Sequence, residues 1–243
     1  MKLDGRVALV TGAGQRVGRA VALALATAGA SVAVHYNTSA AGANDTVKQI
    51  AARGGKATGF GADFRDEAAL NALVPSVVGS MGRLDVLVNS ASIFRDFRLF
   101  ETTNHEWDEN FAINVRAPFV LSREMAKSLG GRPGKIINLN DWQTNRPKRF
   151  AYGVSKAALT GLTKTLASAL APNVQVNEVA LGAILLPPGA PPEYEAVLTA
   201  KIPAGRMGRP DEIADAVLWL IGNDYVTGET IRVDGGQHVS RGS

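Results

Sequence analysis

The chain has 243 residues, of which 46% are hydrophobic and none is cysteine, so it can bury a sizeable core but can form neither disulfides nor thiolate metal sites. The formal net charge of +4 comes from basic residues spread among acids, and we expect a mixed solvated surface and no nucleic-acid partner. The three histidines have no ligand spacing, so we expect no metal. No apolar run reaches about 18 residues and no apolar signal region is present, which favours a cytoplasmic protein without membrane contact.

Apolar runs typical of strands alternate along the chain with helical spacing of apolar residues. The predicted strands are 6–11, 31–36, 56–61, 84–88, 134–139, 174–180 and 229–233. The predicted helices are 19–28, 43–52, 67–78, 105–129, 152–170 and 211–221. This alternation predicts an α/β fold: a doubly wound, mostly parallel seven-stranded sheet with helices on both faces, formed by a single domain over residues 1–243.

Sheets of this kind bind ligands beyond the carboxyl ends of their strands, so the loops that follow the strands should share one face. These loops are 12–18, 36–39, 63–65, 89–95, 140–151 and 181–209. The Pro/Gly-rich stretch 187–192 lies in the last of them. It is either a surface loop or a lid over the substrate.

The glycine-rich segment 11–18 follows the first strand and opens the first helix. Gly12 allows a tight turn, Gly14 keeps side chains away from phosphates, and Gly18 lets the helix lie close to the strand. Free backbone N–H groups at the helix start can then face a pyrophosphate. Arg16 stands where such loops usually have glycine.

A second motif lies about 140 residues later, where Tyr152 and Lys156 are four residues apart on a predicted helix. A lysine beside a phenol favours the phenolate and so lowers the tyrosine pKa, which makes the phenol a better proton donor. Taken alone, the pair is an ordinary helix pair; together with the glycine-rich loop it predicts a catalytic site. The basic cluster 146–149 lies just before it and suits an anionic ligand.

These motifs resemble the short-chain dehydrogenase/reductase family, and the resemblance covers essentially the whole chain. Its residues are Thr11 to Gly18, Asp63, Asn89 to Ser92, Asn114, Tyr152, Lys156, Val226 to Gly228 and Val233 to Gly236. The resemblance implies a Rossmann-type fold in which Tyr152 exchanges a proton with the substrate. It further implies that Lys156 binds the nicotinamide ribose and tunes Tyr152, that Asn114 organises a proton relay, and that Asp63 contacts the adenine.

Two departures from the family pattern indicate a branch within it. Arg16 replaces the middle glycine, and Asp141 stands where most members have a serine that hydrogen-bonds a ketone oxygen. Both features resemble pteridine reductases and dihydromonapterin reductases. A carboxyl group can pair with ring N–H or amino donors, whereas a ketone oxygen needs a donor. The 11-residue interval from Asp141 to Tyr152 is about two shorter than usual and predicts a tighter loop.

The end of the second strand indicates the cofactor, because an acidic residue there would bind the ribose hydroxyls of NAD and repel a 2′-phosphate. This chain has the run 35–39, His-Tyr-Asn-Thr-Ser, instead. We therefore predict NADPH, with Arg16 close to the phosphates and Asn37, Thr38 and Ser39 donating to the 2′-phosphate. The predicted cofactor residues are Gly12, Arg16, Val17, Tyr36, Asn37, Thr38, Ser39, Asp63, Phe64, Asn89, Ser90, Ala91, Tyr152, Lys156, Gly182 and Ile184.

The predicted function is NADPH-dependent hydride transfer to a pterin-like small molecule, with catalytic residues Asn114, Asp141, Tyr152 and Lys156. Asp141 acts as substrate anchor or second acid, and Phe94 stacks on the flat ring. The predicted substrate residues are Arg16, Ser92, Phe94, Asp141, Trp142 and Tyr152. The alternatives are a carbonyl or ketoacyl reductase, with Asp141 structural, and a cofactor-binding sensor without turnover.

The resemblance also implies a homotetramer. The predicted helices 105–129 and 152–170 resemble those of the family's four-helix interface, and the carboxyl-terminal segment 226–239 resembles its second interface. A monomer would leave apolar residues partly exposed. The residues concerned are Phe111, Ile113, Leu159 and Leu162.

Overall fold

The structure is a computed structural model that describes residues 1–187, 189–191 and 193–239. Its strands are β1 (Val7–Val10), β2 (Ser31–Tyr36), β3 (Ala57–Gly61), β4 (Val86–Asn89), β5 (Gly134–Asp141), β6 (Val174–Leu181) and β7 (Thr230–Val233). They form one sheet in the order β3-β2-β1-β4-β5-β6-β7, and all six neighbouring pairs are parallel. The predicted doubly wound fold is confirmed, with a sheet that is entirely parallel.

The helices pack on both faces of this sheet. They are α1 (Arg16–Thr27), α2 (Ala40–Ala52), α3 (Glu67–Met81), α4 (Asn104–Phe111), α5 (Ala117–Leu129), α6 (Phe150–Ala169), α7 (Glu193–Thr199) and α8 (Pro210–Gly222). Side chains alternate along each strand, so Val10 joins a core with α1, α2 and α8, while its neighbour Leu9 joins a second core with α3 and α5. Both faces of the central strands are therefore buried, as a parallel sheet requires.

The sequence predicted every strand to within two residues at either end. It did not predict α7, because none of its residues is buried and no apolar stripe marks it. Helix α1 begins at Arg16, three residues before the predicted start, since the last three residues of the glycine-rich segment are helical without apolar periodicity. In the proline-rich stretch, residues 188 and 192 lie outside the described residues, as do residues 240–243 of the predicted domain.

The predicted helix 105–129 is observed as α4 and α5 joined by a π-helical turn over residues 112–116. Such turns insert one extra residue into a helix and are frequent at functional sites. Asn114 lies inside this turn. The spacing of apolar residues continues through the turn, which is why the sequence predicted a single regular helix.

One expectation about exposed apolar residues is wrong. Ile113 and Leu159 are buried within the single chain, because they join its own core. Phe111 and Leu162 are partly exposed, as expected.

Candidate active site

A cleft of about 1320 Å³ opens beyond the carboxyl ends of the strands, where the chain switches from β1 to neighbours on either side. Residues from all six predicted loops line it, which confirms that these loops share one face. The predicted site residues in its wall are Gly12, Arg16, Val17, Tyr36, Asn37, Thr38, Ser39, Asp63, Phe64, Ser90, Ala91, Ser92, Phe94, Asp141, Trp142, Tyr152, Lys156, Gly182 and Ile184. Asn89 and Asn114 lie beneath this wall, and both are buried.

The glycine-rich loop runs close to the neighbouring backbone along one side of the cleft. Gly12 has a φ of +66°, and a Cβ on it would lie 3.0 Å from Ala91 Cα. A Cβ on Gly18 would lie 2.4 Å from Gly12 O. Neither position accepts a side chain, so the loop presents bare backbone to the cleft, as a dinucleotide phosphate cradle requires.

His35 fixes this loop from below. The Gly12 N–H donates to His35 Nδ1 at 3.1 Å, and His35 Nε2 lies 3.0 Å from Ala62 O. Since Nδ1 accepts, Nε2 carries the proton and donates. Burial lowers the pKa of His35 to about 4, so the ring is neutral near pH 7. His35 is therefore used by the fold, and the polar groups left to meet a 2′-phosphate are those of residues 37–39.

Those residues fit NADPH better than NADH. Asn37 and Thr38 are exposed at the end of β2, and together with Ser39 they line the cleft. Their amide and hydroxyl groups can donate to phosphate oxygens, and the strand ends without a carboxylate that would repel a 2′-phosphate.

Arg16 has a left-handed backbone, with a φ of +54°. This region disfavours non-glycine residues by about 1 kcal/mol, which explains why glycine is usual there. Its guanidinium donates to the main-chain oxygens of Leu185 and Leu186 at 3.3 and 3.1 Å. Arg16 thus ties the phosphate loop to the segment after β6, and its predicted contact with cofactor phosphates remains a prediction.

Asp63 lies at the end of the cleft where the resemblance implies an adenine. The Arg65 guanidinium lies 2.6 Å from Asp63 Oδ2 and holds the pKa of that carboxyl below its usual value. Arg65 also pairs with the buried Glu109 at 3.2 Å. The Asp63 carboxylate is therefore fixed in place by its neighbour.

At the centre of the cleft, Tyr152 and Asp141 are in direct contact. The Tyr152 phenol donates to Asp141 Oδ2 at 3.0 Å, so the short interval between them still brings both into the site. The other carboxylate oxygen, Oδ1, accepts from Arg146 Nη2 at 2.6 Å and from the Gln143 N–H at 2.9 Å. Among the described residues, Oδ1 thus has two donors and Oδ2 has one.

The Tyr152 pKa departs from the sequence prediction. Burial raises the pKa of the phenol well above its ordinary value, and the charge and hydrogen bond of Asp141 raise it further. The charges that lower it belong to Arg146 and Arg149, so the expectation that Lys156 lowers the Tyr152 pKa is wrong in this structure. The physical reason is that the phenol faces a carboxylate in a buried site.

Lys156 lies one helical turn after Tyr152, and its Nζ is 5.8 Å from the centre of the phenol ring. The ammonium donates to Leu139 O at 3.0 Å. Burial lowers the pKa of Lys156 to about 8, although the negative charges of Asp141 and Glu178 act against this shift. Lys156 is thus a fully buried cation in the cleft wall.

Asn114 joins two walls of the site from beneath. Its Nδ2 donates to Ser155 Oγ at 3.0 Å, and its Oδ1 accepts from Ser92 Oγ at 3.0 Å. The π-helical turn therefore ties the loop after β4 to α6 beside Lys156. Asn89, predicted to contact cofactor, turns its side chain away and donates to Asn138 Oδ1 at 2.8 Å.

Phe94 and Trp142 each carry an arginine against their rings. The Arg149 guanidinium lies 3.9 Å from the centre of Phe94, and the Tyr152 ring meets Phe94 edge-on at 4.8 Å. The Arg146 guanidinium lies 5.7 Å from the Trp142 ring. Arg149 therefore covers one face of Phe94 and leaves less of the ring for a flat substrate to stack on.

Two basic side chains of the cluster 146–149 form ion pairs within the chain, and the use of this cluster by an anionic ligand stays a prediction. Arg146 pairs with Asp141 as described, and Arg149 Nε lies 2.6 Å from Asp96. The sequence therefore missed that Arg146 belongs to the active centre. Its signal was an opposite charge five residues after Asp141 in the same loop.

Other residues of the cleft wall were not predicted either. Tyr194 and Leu198 come from α7, which has no sequence signature, and His238 follows β7. Asp234 holds His238, with its Oδ2 2.8 Å from the imidazole Nδ1. A histidine this far along the chain carries no local pattern that links it to the site.

Fold and cleft together define an NAD(P)-dependent oxidoreductase. The family model described as enoyl-(acyl carrier protein) reductase matches residues 12–238, and the chain belongs to the short-chain dehydrogenase/reductase family. This confirms the family resemblance of the sequence.

Three proteins of known sequence or structure are similar to this chain over nearly its whole length. The FolM alternative dihydrofolate reductase 1 from Brucella canis, solved in complex with NADP, matches with a TM-score of 0.94 and 32% identity, over 100% of this chain and 97% of that one. The 3-oxoacyl-[acyl-carrier-protein] reductase FabG of Thermotoga maritima is 34% identical over 97% of this chain and 99% of its own. An uncharacterized oxidoreductase of Methylorubrum extorquens is 39% identical, over 97% and 98%.

Within the described residues, no helix is both long and apolar enough to cross a membrane. The same part of the chain contains no group of three or more histidine, aspartate or glutamate side chains placed to hold a metal ion.

Proposed function

We propose that this protein is an NADPH-dependent reductase that transfers a hydride to a pterin-like substrate, such as a dihydropterin or dihydrofolate. The observation that carries the proposal is the Asp141 carboxylate, which lines the cleft beside Tyr152 and keeps one acceptor site on Oδ2 that no described residue fills.

Counting acceptor sites shows what Asp141 can still bind. A carboxylate has about four lone-pair sites, two on each oxygen. Both sites on Oδ1 are used by Arg146 and Gln143, while within the described residues Oδ2 accepts from Tyr152 alone. One acceptor site on Oδ2 therefore remains, and it suits a ring N–H or an amino group. A ketone oxygen offers no donor to this site.

The arrangement favours Asp141 as a substrate anchor over a second acid. Arg146 at 2.6 Å pairs with the Asp141 carboxylate, and the Tyr152 phenol supplies the proton of the Tyr152–Asp141 hydrogen bond. Tyr152 is the group that holds a proton for transfer to the substrate, on its phenol oxygen. NADPH supplies the hydride when it is bound.

The remaining catalytic residues position Tyr152. Lys156 would bind the nicotinamide ribose from the cleft wall, and its cation lies on the same helix face as the phenol. Asn114 would organise the relay that returns a proton to Tyr152, since its side chain links Ser92 to Ser155 beneath the site. Phe94 and Trp142, which both line the cleft, would hold the flat ring of the substrate.

NADPH is the proposed cofactor for two reasons. The residues at the end of β2 are neutral donors, as described above, and the FolM enzyme from Brucella canis was solved with NADP. Arg16 would meet the phosphates by exchanging its contacts with Leu185 and Leu186 for charge-assisted bonds.

The second candidate is a carbonyl or ketoacyl reductase, because relatives such as the Thermotoga maritima FabG share 34% identity. In that case the Tyr152 phenol alone would donate to the ketone, and Asp141 would only hold Tyr152. A sensor without turnover is disfavoured because Asn114, Tyr152 and Lys156 are all present.

A homotetramer is the proposed assembly. Helices α4 and α5 expose Trp107 and Phe119, whose exposed fractions are 36% and 41%, on the surface that the family resemblance assigns to a helix interface. Covering these side chains by a second copy of the chain would bury apolar area.

Steady-state NADPH oxidation tests the proposed activity. The purified protein is assayed with dihydrobiopterin, dihydromonapterin, dihydrofolate and a panel of ketones side by side. We expect at least one pterin to give the highest kcat/KM. A ketone that exceeded every pterin would establish the carbonyl reductase instead.

A further inference from the structure

A buried polar network lies directly beneath the catalytic helix, and the proposed mechanism does not use it. Its side chains come from four strands and α6. They are Asn89, Asn138, Asn140, Thr160, Thr163, Glu178 and Thr230. Glu178 is the charged member, and its exposed fraction is only 1%.

The donor directions in this network can be worked out from the amide of Asn140. Its Nδ2 donates to the main-chain oxygen of Lys156 and to Thr160 Oγ1, both at 3.0 Å. Thr160 has one proton, and since its oxygen accepts from Asn140, that proton goes to Glu178 Oε1 at 3.1 Å. The Thr230 hydroxyl reaches the same Oε1 at 3.2 Å.

The other oxygen of Glu178 has a weaker contact. Thr163 accepts from Asn138 Nδ2 at 2.8 Å and donates to Leu159 O at 2.9 Å, so its hydroxyl, 3.5 Å from Oε2, is already committed. Glu178 is therefore an acceptor held by hydroxyl groups. No ion pair joins it to any residue that the structure describes.

A buried carboxylate without an ion pair is costly unless a cation lies close enough to compensate its charge. The network reaches Lys156 at its main chain: Thr160 donates to Glu178, and Asn140 donates both to Thr160 and to the main-chain oxygen of Lys156. The Lys156 ammonium is the buried cation on the same helical turn. We infer that Glu178 is a positioning residue for Lys156: through Thr160 and Asn140 its carboxylate fixes the helical turn that carries the lysine, and it places a buried carboxylate beneath the buried ammonium.

The charged and titratable groups around Lys156 determine how removal of Glu178 should change the pKa of the lysine. Asp141 faces it from the end of β5 and Glu178 from β6, while Tyr152 lies on its own helix and Arg146 and Arg149 come from the loop after β5. Both carboxylates raise the pKa of Lys156, which burial lowers to about 8. Loss of Glu178 should therefore lower the Lys156 pKa further, so that the lysine loses its charge at a lower pH.

NADPH binding gives a direct test. The inference rests on the proposed contact of Lys156 with the cofactor ribose, but the measurement is independent of which substrate is reduced. NADPH affinity is measured by nucleotide fluorescence between pH 6 and 10. In the parent protein we expect affinity to fall above about pH 8, where Lys156 loses its proton.

Two variants remove the charge and one keeps it. Glu178→Gln preserves hydrogen bonds, Glu178→Met preserves only the volume, and Glu178→Asp preserves the charge. For the first two we expect the alkaline fall to begin about one pH unit lower, the order of shift expected when one nearby charge is removed. For Glu178→Asp we expect the parent profile. A general loss of packing would instead lower affinity equally at every pH.

Two results would contradict the proposed role of Glu178. Profiles of Glu178→Gln and Glu178→Met that superimpose on the parent profile would overturn the inference. So would a Glu178→Gln protein that cannot be obtained folded, since it would assign Glu178 to folding. If pterins proved not to be substrates, these binding profiles would still decide the role of Glu178.

Discussion

Replacing Asp141 by serine separates the two candidate functions, because the exchange turns an acceptor into a hydroxyl that can donate. If a substrate N–H binds the free site on Asp141 Oδ2, the variant loses a charge-assisted hydrogen bond. Such bonds contribute about 1.5–3 kcal/mol. This corresponds to a loss of roughly 10- to 150-fold in kcat/KM for the pterin.

The same change should spare or improve ketone reduction. The charge and hydrogen bond of Asp141 raise the pKa of Tyr152, whereas Arg146 and Arg149 lower it. Without Asp141 the phenol becomes a stronger acid, and the new hydroxyl can donate to a carbonyl oxygen. The Asp141 side chain is only 8% exposed, and its loss removes an acceptor from Arg146, from the Gln143 N–H and from the buried Tyr152 phenol, so we expect the free energy of unfolding to fall by about 1–3 kcal/mol.

The assay compares kcat/KM of the parent and Asp141→Ser with one pterin and one ketone, using urea unfolding to confirm the fold. Asp215→Ser, an exposed aspartate on α8, serves as the matched control and should change neither activity. Tyr152→Phe should abolish both. A variant that lost ketone reduction but kept pterin reduction would refute the reasoning and support the carbonyl reductase.

Three further predictions concern cofactor, stability and assembly. NADPH should give a higher kcat/KM than NADH, and Arg16→Gly should weaken NADPH binding more than NADH binding; equal losses would assign Arg16 to the substrate or the lid. Burial lowers the pKa of His35 to about 4, so between about pH 6.5 and 4 this side chain binds a proton in the unfolded chain but not in the folded one. The free energy of unfolding, measured with urea, should therefore fall by up to about 3 kcal/mol as the pH falls through this window. His35→Gln should remove that part of the pH dependence, and a parent-like slope would contradict the buried neutral ring. Light scattering should return a tetramer mass at micromolar concentration, and a monomer mass would disprove the assembly.

Much of the fold could be predicted because its signals are local. The strands are continuous apolar runs. Because loops that follow parallel strands share the carboxyl edge of the sheet, the sequence alone places four site residues in one cleft: Gly12, Asp63, Asp141 and Tyr152. Helix α7 gave no such signal, since it buries nothing against the core.

The electrostatics of the site could not be predicted in the same way. The sequence places Lys156 on the same helix face as Tyr152, but the pKa of the phenol depends on how deeply it is buried and on where the Asp141 and Arg146 side chains turn. These are tertiary facts. Likewise, nothing in the local sequence around Glu178 indicates that α6 and β7 supply hydroxyl groups to its carboxylate.

The π-helical turn at 112–116 also sets a phase difference between two helices. One extra residue rotates everything beyond it by about 100° relative to a regular helix. Helix α4 packs on α6, whereas α5 packs on α3, so each half of this long helix presents a different side to the protein. Deleting a single residue within the turn would bring both halves into one phase, and either the catalytic helix or the α3 core would then lose its partner.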